Sequence, residues 1–374
     1  MARKLQSDKW LFLATLALVC VSVVMVYSAS AVMALERYQQ PYFFVTRQAM
    51  WALLGLAVLS LVMRVDYRTY RNEHVIWGVL AVVGLLLVAV LFARPINGSR
   101  RWFGLGGFGI QPSELAKVAA IFFTALTLDR RMHRINDVKY ALLPIALIVG
   151  GLAALILLEP DFGTAVALTV VVAAMVTSAG LSFRYILGLA VAVAPLGYLV
   201  LISAPYRMRR WTAFWNPGAD PLGDGFHLMQ SLIAVGSGGW QGRGLMGGIQ
   251  KLFYLPEPHT DFIFAVISEE LGFLGATFVV ACFGVIAWRG LRAAVSAPDR
   301  FGACLAMGIT MMVVAQALVN LSVVLGLLPT KGIPLPLVSS GGSSLLVNLA
   351  SMGVLLNISQ HAAHDAAASE PGAA

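Results

Sequence analysis

Long apolar segments, separated by short polar ones, run along most of this 374-residue chain. A helix that crosses the hydrocarbon core of a bilayer needs about 20 apolar residues. Ten segments reach or approach this length, and they lack the two-residue alternation of barrel strands. The pattern therefore predicts an all-α integral membrane protein of about ten transmembrane helices. Their approximate ranges are 10–33, 44–63, 74–93, 113–128, 140–158, 162–178, 184–203, 262–288, 301–328 and 342–359.

The composition agrees with a membrane protein and argues against a soluble one. Hydrophobic residues make up 59% of the chain and charged residues 12%, whereas soluble domains average about 25% charged residues. In a soluble chain the net charge of +8 would suggest a nucleic-acid partner. Here the lysine and arginine residues of the loops account for the charge, and we expect no nucleic-acid partner. The cysteines lie within apolar segments and show no disulfide or zinc spacing: they are Cys20, Cys282 and Cys304.

Lysine and arginine are distributed unequally between the two sets of alternating loops. With the long loop set aside, the set that includes the N-terminus holds 14 of these cations and the other set holds 6. Because cytoplasmic loops are richer in lysine and arginine, both termini are predicted to be cytoplasmic, with the chain in the cytoplasmic (inner) membrane. Residues 1–360 then form one polytopic domain with a large extracytoplasmic loop, 204–261, between the seventh and eighth helices. The composition of residues 361–374 predicts a disordered cytoplasmic tail.

Three ionisable side chains lie close together just before the eighth apolar segment. Glu257, His259 and Asp261 fall within five residues of each other, and such a group can bind a cation or transfer a proton. A simpler alternative is that Thr260 or Asp261 only caps the following helix, because both residue types are favoured at N-caps. The residues by themselves support the two alternatives about equally.

The loop after the third segment and the start of the fourth contain further candidate residues. Arg101 and Trp102 are adjacent at the predicted outer surface, where an arginine can hold a phosphate and an indole can stack on a sugar. The alternative is an interfacial aromatic anchor with a cationic neighbour. Glu114 and Lys117 are three residues apart and share one helical face. Because charges within a membrane span are usually paired, these two predict an ion pair, which is structural or lines a polar groove.

Two more acidic pairs accompany the apolar segments. Glu159 and Asp161 flank a proline in a very short external turn, and we expect both carboxylates to be solvated. Glu269 and Glu270 lie about two turns inside the eighth segment, at about 1.5 Å of rise per residue. At that depth at least one of them should face protein or a water-filled cavity rather than lipid.

Four stretches carry motifs that can be compared with a known family: Pro112-Ser-Glu-Leu-Ala-Lys117, 230–245, 254–272 and 332–344. Together they resemble the SEDS family, whose name stands for shape, elongation, division and sporulation. The resemblance covers essentially the whole chain, and His259-Thr-Asp-Phe-Ile-Phe264 is its most specific part. The motif Leu328-Pro-Thr-Lys-Gly332 is closer to the division-type members than to the rod-elongation type. Ser340 departs from the family, which usually has tyrosine there.

The resemblance implies a peptidoglycan glycosyltransferase that acts in septal cell-wall synthesis during cell division. Such an enzyme polymerises lipid II and releases undecaprenyl diphosphate, alongside a class B penicillin-binding protein and other divisome membrane proteins. The resemblance makes Asp261 the catalytic residue, as a general base or as the ligand of a divalent cation, Mg or Mn. With the polar pattern above, the expected substrate-binding residues are Arg101, Trp102, Glu114, Lys117, Glu257, His259 and Lys331.

Three other functions compete with septal polymerisation. A lipid II flippase would suit ten helices with buried charges, but transporters often show internal repeats with interrupted helices, and the sequence shows no such repeat. The same polymerase activity can also serve rod elongation. A non-catalytic scaffold for the penicillin-binding protein is the third alternative.

Overall fold

The computed structural model describes residues 7–94, 99–105, 108–202, 205–220, 223, 225–330 and 332–368. These residues form twelve α-helices and a short hairpin of β1 (Phe103–Leu105) and β2 (Phe108–Ile110). Each of the ten predicted apolar segments coincides with a helix, which confirms the all-α fold. The helices are α1 (Lys9–Tyr38), α2 (Phe43–Val62), α3 (Glu73–Val90), α4 (Pro112–Arg131), α5 (Leu143–Leu158), α6 (Phe162–Ser178), α7 (Phe183–Ile202), α8 (Pro205–Trp215), α9 (Phe226–Ser237), α10 (Ile263–Val295), α11 (Arg300–Val324) and α12 (Gly342–Ala368).

Seven stretches among the described residues are long and apolar enough to cross a membrane. They are α1, α2, α3, the 21-residue stretch that ends with α5, α10, α11 and the first 21 residues of α12. α6 is apolar but has only 17 residues. The structure is therefore that of a multi-pass membrane protein, while a total of ten spans stays a prediction.

α11 and α12 occupy the interior of the helix bundle. α12 packs along α2 and contacts α11, while α11 also packs against α10, α4 and α6. On the outer helices, large apolar side chains such as Leu53 of α2, Leu85 of α3 and Leu147 of α5 are exposed. Outward-facing leucines are stable in lipid but unfavourable in water, so these helices present the surface that meets the bilayer.

Ion pairs join the helix ends on the side of the bundle that carries the N-terminus. Asp8 caps α1 and pairs with an arginine of α10, and the loop after α2 is tied to the end of α4 and the start of α11. The pairs are Asp8–Arg289 (2.5 Å), Arg71–Asp129 (2.9 Å) and Arg68–Asp299 (3.3 Å). The hairpin, α9 and residues 255–262 lie at the opposite end. The two sets of loops thus lie at opposite ends of the bundle. Which of these ends faces the cytoplasm stays a prediction from the unequal distribution of lysine and arginine.

α10 is broken at Gly272, where the long loop packs directly on the helix backbone. Gly272 has φ 65° and ψ −162°, a conformation that residues with a Cβ atom rarely adopt. A Cβ atom on Gly272 would also lie 2.3 Å from the backbone nitrogen of Gly242. The backbone N–H of Arg243 donates to the Glu269 carbonyl at 3.0 Å, and that of Phe273 donates to the Gly239 carbonyl at 2.8 Å. These contacts fix the end of the long loop to α10.

The last helix runs further than the sequence pattern indicated. α12 continues to Ala368, past residue 360, where we predicted a disordered tail to begin. Residues 369–374 of that predicted tail lie outside the described residues. The predicted boundary follows the apolar content of the sequence, which decreases before α12 ends.

Thiol labelling tests the orientation of the two ends. We expect Gln241→Cys, in a chain that also carries Cys20→Ser, to react with a membrane-impermeant thiol reagent on intact cells, because residue 241 is exposed in the long loop. The two remaining cysteines are buried. Ser296→Cys, exposed at the opposite end, should react only after lysis. The reverse pattern would show that the orientation inferred from lysine and arginine is wrong.

Candidate active site

Asp261 lies in the turn that precedes α10 and not in the helix itself. α10 begins at Ile263, and its N-cap residue is Phe262, at which no side-chain capping hydrogen bond forms. The Thr260 hydroxyl donates instead to the carbonyl oxygen of Glu257 at 3.3 Å. Helix capping by Thr260 or Asp261 is therefore wrong, because the chain continues the turn before the helix starts. The Asp261 carboxylate is left available for chemistry.

The Asp261 carboxyl is half-buried beside the connection between α11 and α12. Its Oδ2 atom is so close to Gly332 that a Cβ atom there would lie 2.7 Å away. Its backbone carbonyl accepts a hydrogen bond from Asn320 Nδ2 at 2.8 Å. Burial and the Glu257 carboxylate raise the pKa of Asp261 to about 7, and the Arg210 guanidinium opposes this rise. A carboxyl with a pKa near neutrality is suited to proton transfer.

His259 lies in the same turn and contacts α2 and the residues just before α12. Its ring centroid lies 4.5 Å from that of Phe44 on α2, and its carbonyl accepts the backbone N–H of Ser340 at 2.9 Å. Burial lowers the pKa of His259, an effect that Glu257 opposes. The Nδ1 atom of the imidazole is buried without a hydrogen-bond partner among the described residues. Glu257, by contrast, is exposed.

The predicted ion pair between Glu114 and Lys117 is present and buried. Lys117 Nζ lies 3.0 Å from Glu114 Oε1 and donates to Gln316 Oε1 of α11 at 2.9 Å. Gln316 Nε2 in turn donates to the carbonyl of Pro334 at 3.2 Å. The pair therefore links α4 and α11 to the same connection that adjoins Asp261.

The side chains of Arg101 and Trp102 contact different parts of the structure. The Arg101 guanidinium donates to the carbonyls of Glu159 (3.0 Å) and Pro160 (2.6 Å) in the turn between α5 and α6. The Trp102 ring lies on Gly109 of β2, where a Cβ atom would be 3.0 Å from the indole. Trp102 also lines a cavity of about 170 Å³, whose walls are Phe44, Arg47, Gln48, Trp51, Trp102, Gly109, Ser340, Gly341 and Gly342. The turn between α5 and α6 thus holds the Arg101 guanidinium, while the Trp102 ring lines the cavity, and a shared phosphate-and-sugar site stays a prediction.

Glu159 and Asp161 are buried, and the prediction that they are solvated is wrong. Asp161 Oδ1 caps α6 by accepting the backbone N–H of Thr164 at 3.1 Å, and its Oδ2 accepts Gln111 Nε2 at 3.2 Å. Both carboxyl oxygens of Glu159 lack a partner among the described residues. Burial and the charge of Asp161 raise the pKa of Glu159 to about 8, against the effect of Arg101. Only three residues connect α5 and α6, and this connection is too short for the carboxyl groups of Glu159 and Asp161 to reach water.

Family comparison decides what kind of chain holds this site. A family model described as cell cycle protein, which covers FtsW, RodA and SpoVE, matches residues 9–364. The chain belongs to the SEDS family. It is 44% identical over 348 residues to a protein of Geobacter sp. (strain M18) named probable peptidoglycan glycosyltransferase FtsW, covering 91% of this chain and 94% of that one. It is 43% identical over 367 residues to stage V sporulation protein E of Bacillus subtilis (strain 168), covering 96% and 98%.

Solved structures of SEDS proteins have the same fold. One, described as a peptidoglycan synthase complex that coordinates polymerization and crosslinking, superposes with a TM-score of 0.79 at 32% identity, over 96% of this chain and 99% of that one. The rod shape determining protein RodA of Thermus thermophilus superposes with a TM-score of 0.69 at 29% identity, over 95% and 97%. The likeness covers nearly the full length of each chain.

The long loop of this SEDS chain is held by two carboxylates inside α10. Glu270 pairs with the buried Lys251 at 2.6 Å, and it accepts the Ser28 hydroxyl of α1. Glu269 accepts the backbone N–H of Ile249 at 2.8 Å. Both carboxylates are fully buried, so the prediction that at least one faces protein is confirmed. Sequence reasoning missed Lys251, because nothing in its local pattern shows that it returns to α10.

The acidic groups near Asp261 offer only a partial set of metal ligands. Across the part of the chain that the structure describes, no group of three or more His, Cys, Asp or Glu side chains is placed to hold a metal ion. Asp261 and Glu257 supply two carboxylates, which is the usual protein share when Mg²⁺ is bound together with substrate phosphates. Lys331, the remaining predicted substrate-binding residue, lies outside the described residues.

Removal of the Glu270 charge should loosen the long loop. Glu270→Gln leaves Lys251 buried without its counter-charge, and breaking a buried ion pair costs about 3–5 kcal/mol. We expect a lower thermal midpoint of the detergent-solubilised protein and faster proteolysis within residues 238–262. Glu36→Gln, which changes an exposed acid at the same end, should leave both measurements unchanged. Equal stability of the two variants would show that the pair does not hold the loop.

Proposed function

We propose that this chain is a peptidoglycan glycosyltransferase that polymerises lipid II on the outer face of the cytoplasmic membrane, with both termini in the cytoplasm. The observation that carries the proposal is the Asp261 carboxyl, which is half-buried, does not cap α10 and has a pKa raised to about 7. Family membership supports it, because a relative at 44% identity is named probable peptidoglycan glycosyltransferase FtsW. The same name favours a role in cell division over one in rod elongation.

In the proposed reaction a sugar hydroxyl of the acceptor attacks the anomeric carbon of the lipid-linked donor. The new glycosidic bond forms as the bond between that carbon and the pyrophosphate oxygen breaks, and the leaving pyrophosphate takes the electron pair. The Asp261 carboxylate accepts the hydroxyl proton. Because its pKa is near 7, a substantial fraction of Asp261 is ionised at neutral pH and is ready to act as a base.

The surrounding residues hold this carboxyl in place. Asn320 fixes the backbone of Asp261 and also donates to the carbonyl of Ile333 at 2.8 Å, so the turn and the connection before α12 are held together. Lys117 supports the same connection through Gln316. If a divalent cation binds, Asp261 and Glu257 would hold it, and it would neutralise charge on the leaving pyrophosphate.

We further propose that the chain works beside a class B penicillin-binding protein and other membrane proteins of the divisome. The proposal is supported by the structural likeness to a peptidoglycan synthase complex described as coordinating polymerization and crosslinking. A polymerase at the outer face releases strands on the side where a crosslinking enzyme would meet them. Copurification of the chain with its penicillin-binding protein tests this association.

Asp261→Asn is expected to abolish polymerisation while the protein stays folded. The amide keeps nearly the same shape, and the hydrogen bond from Asn320 goes to the backbone carbonyl, so the turn should persist. Loss of a general base typically costs about 10²–10⁴-fold in rate. The measurement is glycan strand formation from purified lipid II, with Glu36→Gln as the control and the thermal midpoint as the check on folding. Long strands made by folded Asp261→Asn protein would contradict a catalytic role for this carboxyl.

Removal of divalent cations tests the second role of Asp261. We expect EDTA to lower polymerisation by the wild-type chain, and Mg²⁺ or Mn²⁺ to restore it, because one or two carboxylates bind these ions only weakly without substrate phosphates. Activity that is unchanged in EDTA would restrict Asp261 to the role of a base.

A further inference from the structure

A second cavity, of about 300 Å³, lies between α3, α4 and the start of α5. Its lining runs along α4 from Phe123 to Arg131, and Trp77 of α3 and Leu147 of α5 complete the walls. α4 begins at the end of the bundle that holds the candidate active site and finishes at the end that carries the N-terminus. A helix of 20 residues is about 30 Å long, so this cavity is remote from Asp261 and takes no part in the proposed reaction.

The interior of this cavity is apolar, and it opens toward the lipid. Phe123 is buried, and its ring meets the Trp77 ring edge to face, with the centroids 5.5 Å apart. The Thr127 hydroxyl donates within α4, to the Phe123 carbonyl at 2.9 Å. Leu147 is 65% exposed and lies at the opening. Phe123 and Arg130 are seven residues apart, which is about 10 Å along a helix, so the cavity extends two turns from the helix end toward the bilayer centre. Such a groove suits an acyl chain.

Two guanidinium groups meet on one ring at the polar end of this cavity. Arg131, which lines the cavity, donates to the Tyr140 carbonyl at 2.6 Å and lies 5.1 Å from the centroid of the Tyr140 ring. The Arg134 guanidinium lies 5.7 Å from the same centroid. Two like charges held this close repel each other, so an anion placed between them would stabilise the arrangement.

The carboxylates around these arginines are already engaged. Two of them pair with other arginines, and one accepts backbone N–H groups in the turn before α5. They are Glu73 with Arg130 (2.5 Å), Asp129 with Arg71 (2.9 Å), and Asp137 with the N–H groups of Lys139 (3.1 Å) and Tyr140 (3.3 Å). Within the described part of the chain, Arg131 and Arg134 have no carboxylate within 4 Å. The cavity therefore favours a ligand that brings its own negative charge.

We propose that this cavity binds an anionic phospholipid of the surrounding membrane, with its phosphate between Arg131 and Arg134 and one acyl chain in the apolar groove. Basic pockets between membrane helices bind anionic lipid head groups in this way, and guanidinium groups match phosphate geometry. A free phosphate would leave the groove unfilled, and a zwitterionic phospholipid would bring a further cation to the arginines. Cytoplasmic cations are expected from topology alone, but topology requires neither the groove nor two guanidinium groups on one ring.

The test compares phosphatidylglycerol with phosphatidylcholine that carries the same acyl chains. We expect the detergent-solubilised wild-type chain to prefer phosphatidylglycerol in a competition measured by native mass spectrometry. Arg131→Gln and Arg134→Gln should each reduce this preference about fivefold, the contribution of one cation beside an anionic lipid. Arg292→Gln should keep the wild-type preference, because it removes an exposed arginine at the same end from α10, which contacts α1, α9, α11 and α12.

A second variant tests the groove and leaves the arginines in place. Leu147→Trp enlarges an exposed side chain at the opening, so the protein should fold with an unchanged thermal midpoint while the indole blocks the groove. We expect phosphatidylglycerol to bind about tenfold more weakly, which corresponds to about two CH₂ groups displaced from the groove. Leu53→Trp, at a similarly exposed position on α2, should bind this lipid as the wild-type chain does.

Inorganic phosphate separates a lipid site from a simple phosphate site. At the concentration of the lipid it should not displace phosphatidylglycerol, because it gains nothing from the apolar groove. Displacement by phosphate would overturn the proposal, as would wild-type binding by Leu147→Trp or an equal loss of preference in Arg131→Gln and Arg292→Gln. These measurements need no turnover, so their outcome is independent of whether the chain polymerises lipid II.

Discussion

Burial of charge inside α10 is the constraint on which the rest of the site depends. Glu269 and Glu270 are stable there only because the long loop returns to them with Lys251 and with backbone N–H groups. The same return requires the break at Gly272, where loop and helix backbones are in contact. Once residues 238–251 are fixed in this way, only a short stretch remains before α10 begins. The turn that carries Asp261 is therefore positioned by an ion-pair network about two helical turns away.

The site is assembled from distant parts of the chain that meet at one end of the bundle. α11 supplies the connecting side chains, since Asn320 and Gln316 both bond to residues 333–334. The turn at 255–262 places Asp261 beside Gly332, and α2 with the hairpin encloses the cavity that contains Arg47 and Trp102. The Asp261 carboxyl and the cavity beside Trp102 thus come from separate elements.

Local patterns predicted the parts of the structure that depend on a few neighbouring residues. The apolar runs located the helices, and the spacing of Glu114 and Lys117 predicted their ion pair, because both follow from helical periodicity. Prediction failed where tertiary contacts determine the structure. Glu159 and Asp161 are buried because their turn is too short to reach water, and Lys251 pairs with Glu270, which is 19 residues away in sequence.

The central claim is that the carboxyl-bearing outer end of this bundle joins sugars and does not carry lipid across the membrane. The most direct measurement places the purified chain in liposomes with lipid II, with and without its penicillin-binding protein, and follows glycan length and released undecaprenyl pyrophosphate. The account predicts long strands and one equivalent of released lipid for each bond formed. Movement of intact lipid II between leaflets, with no strands and no released pyrophosphate under either condition, would contradict it.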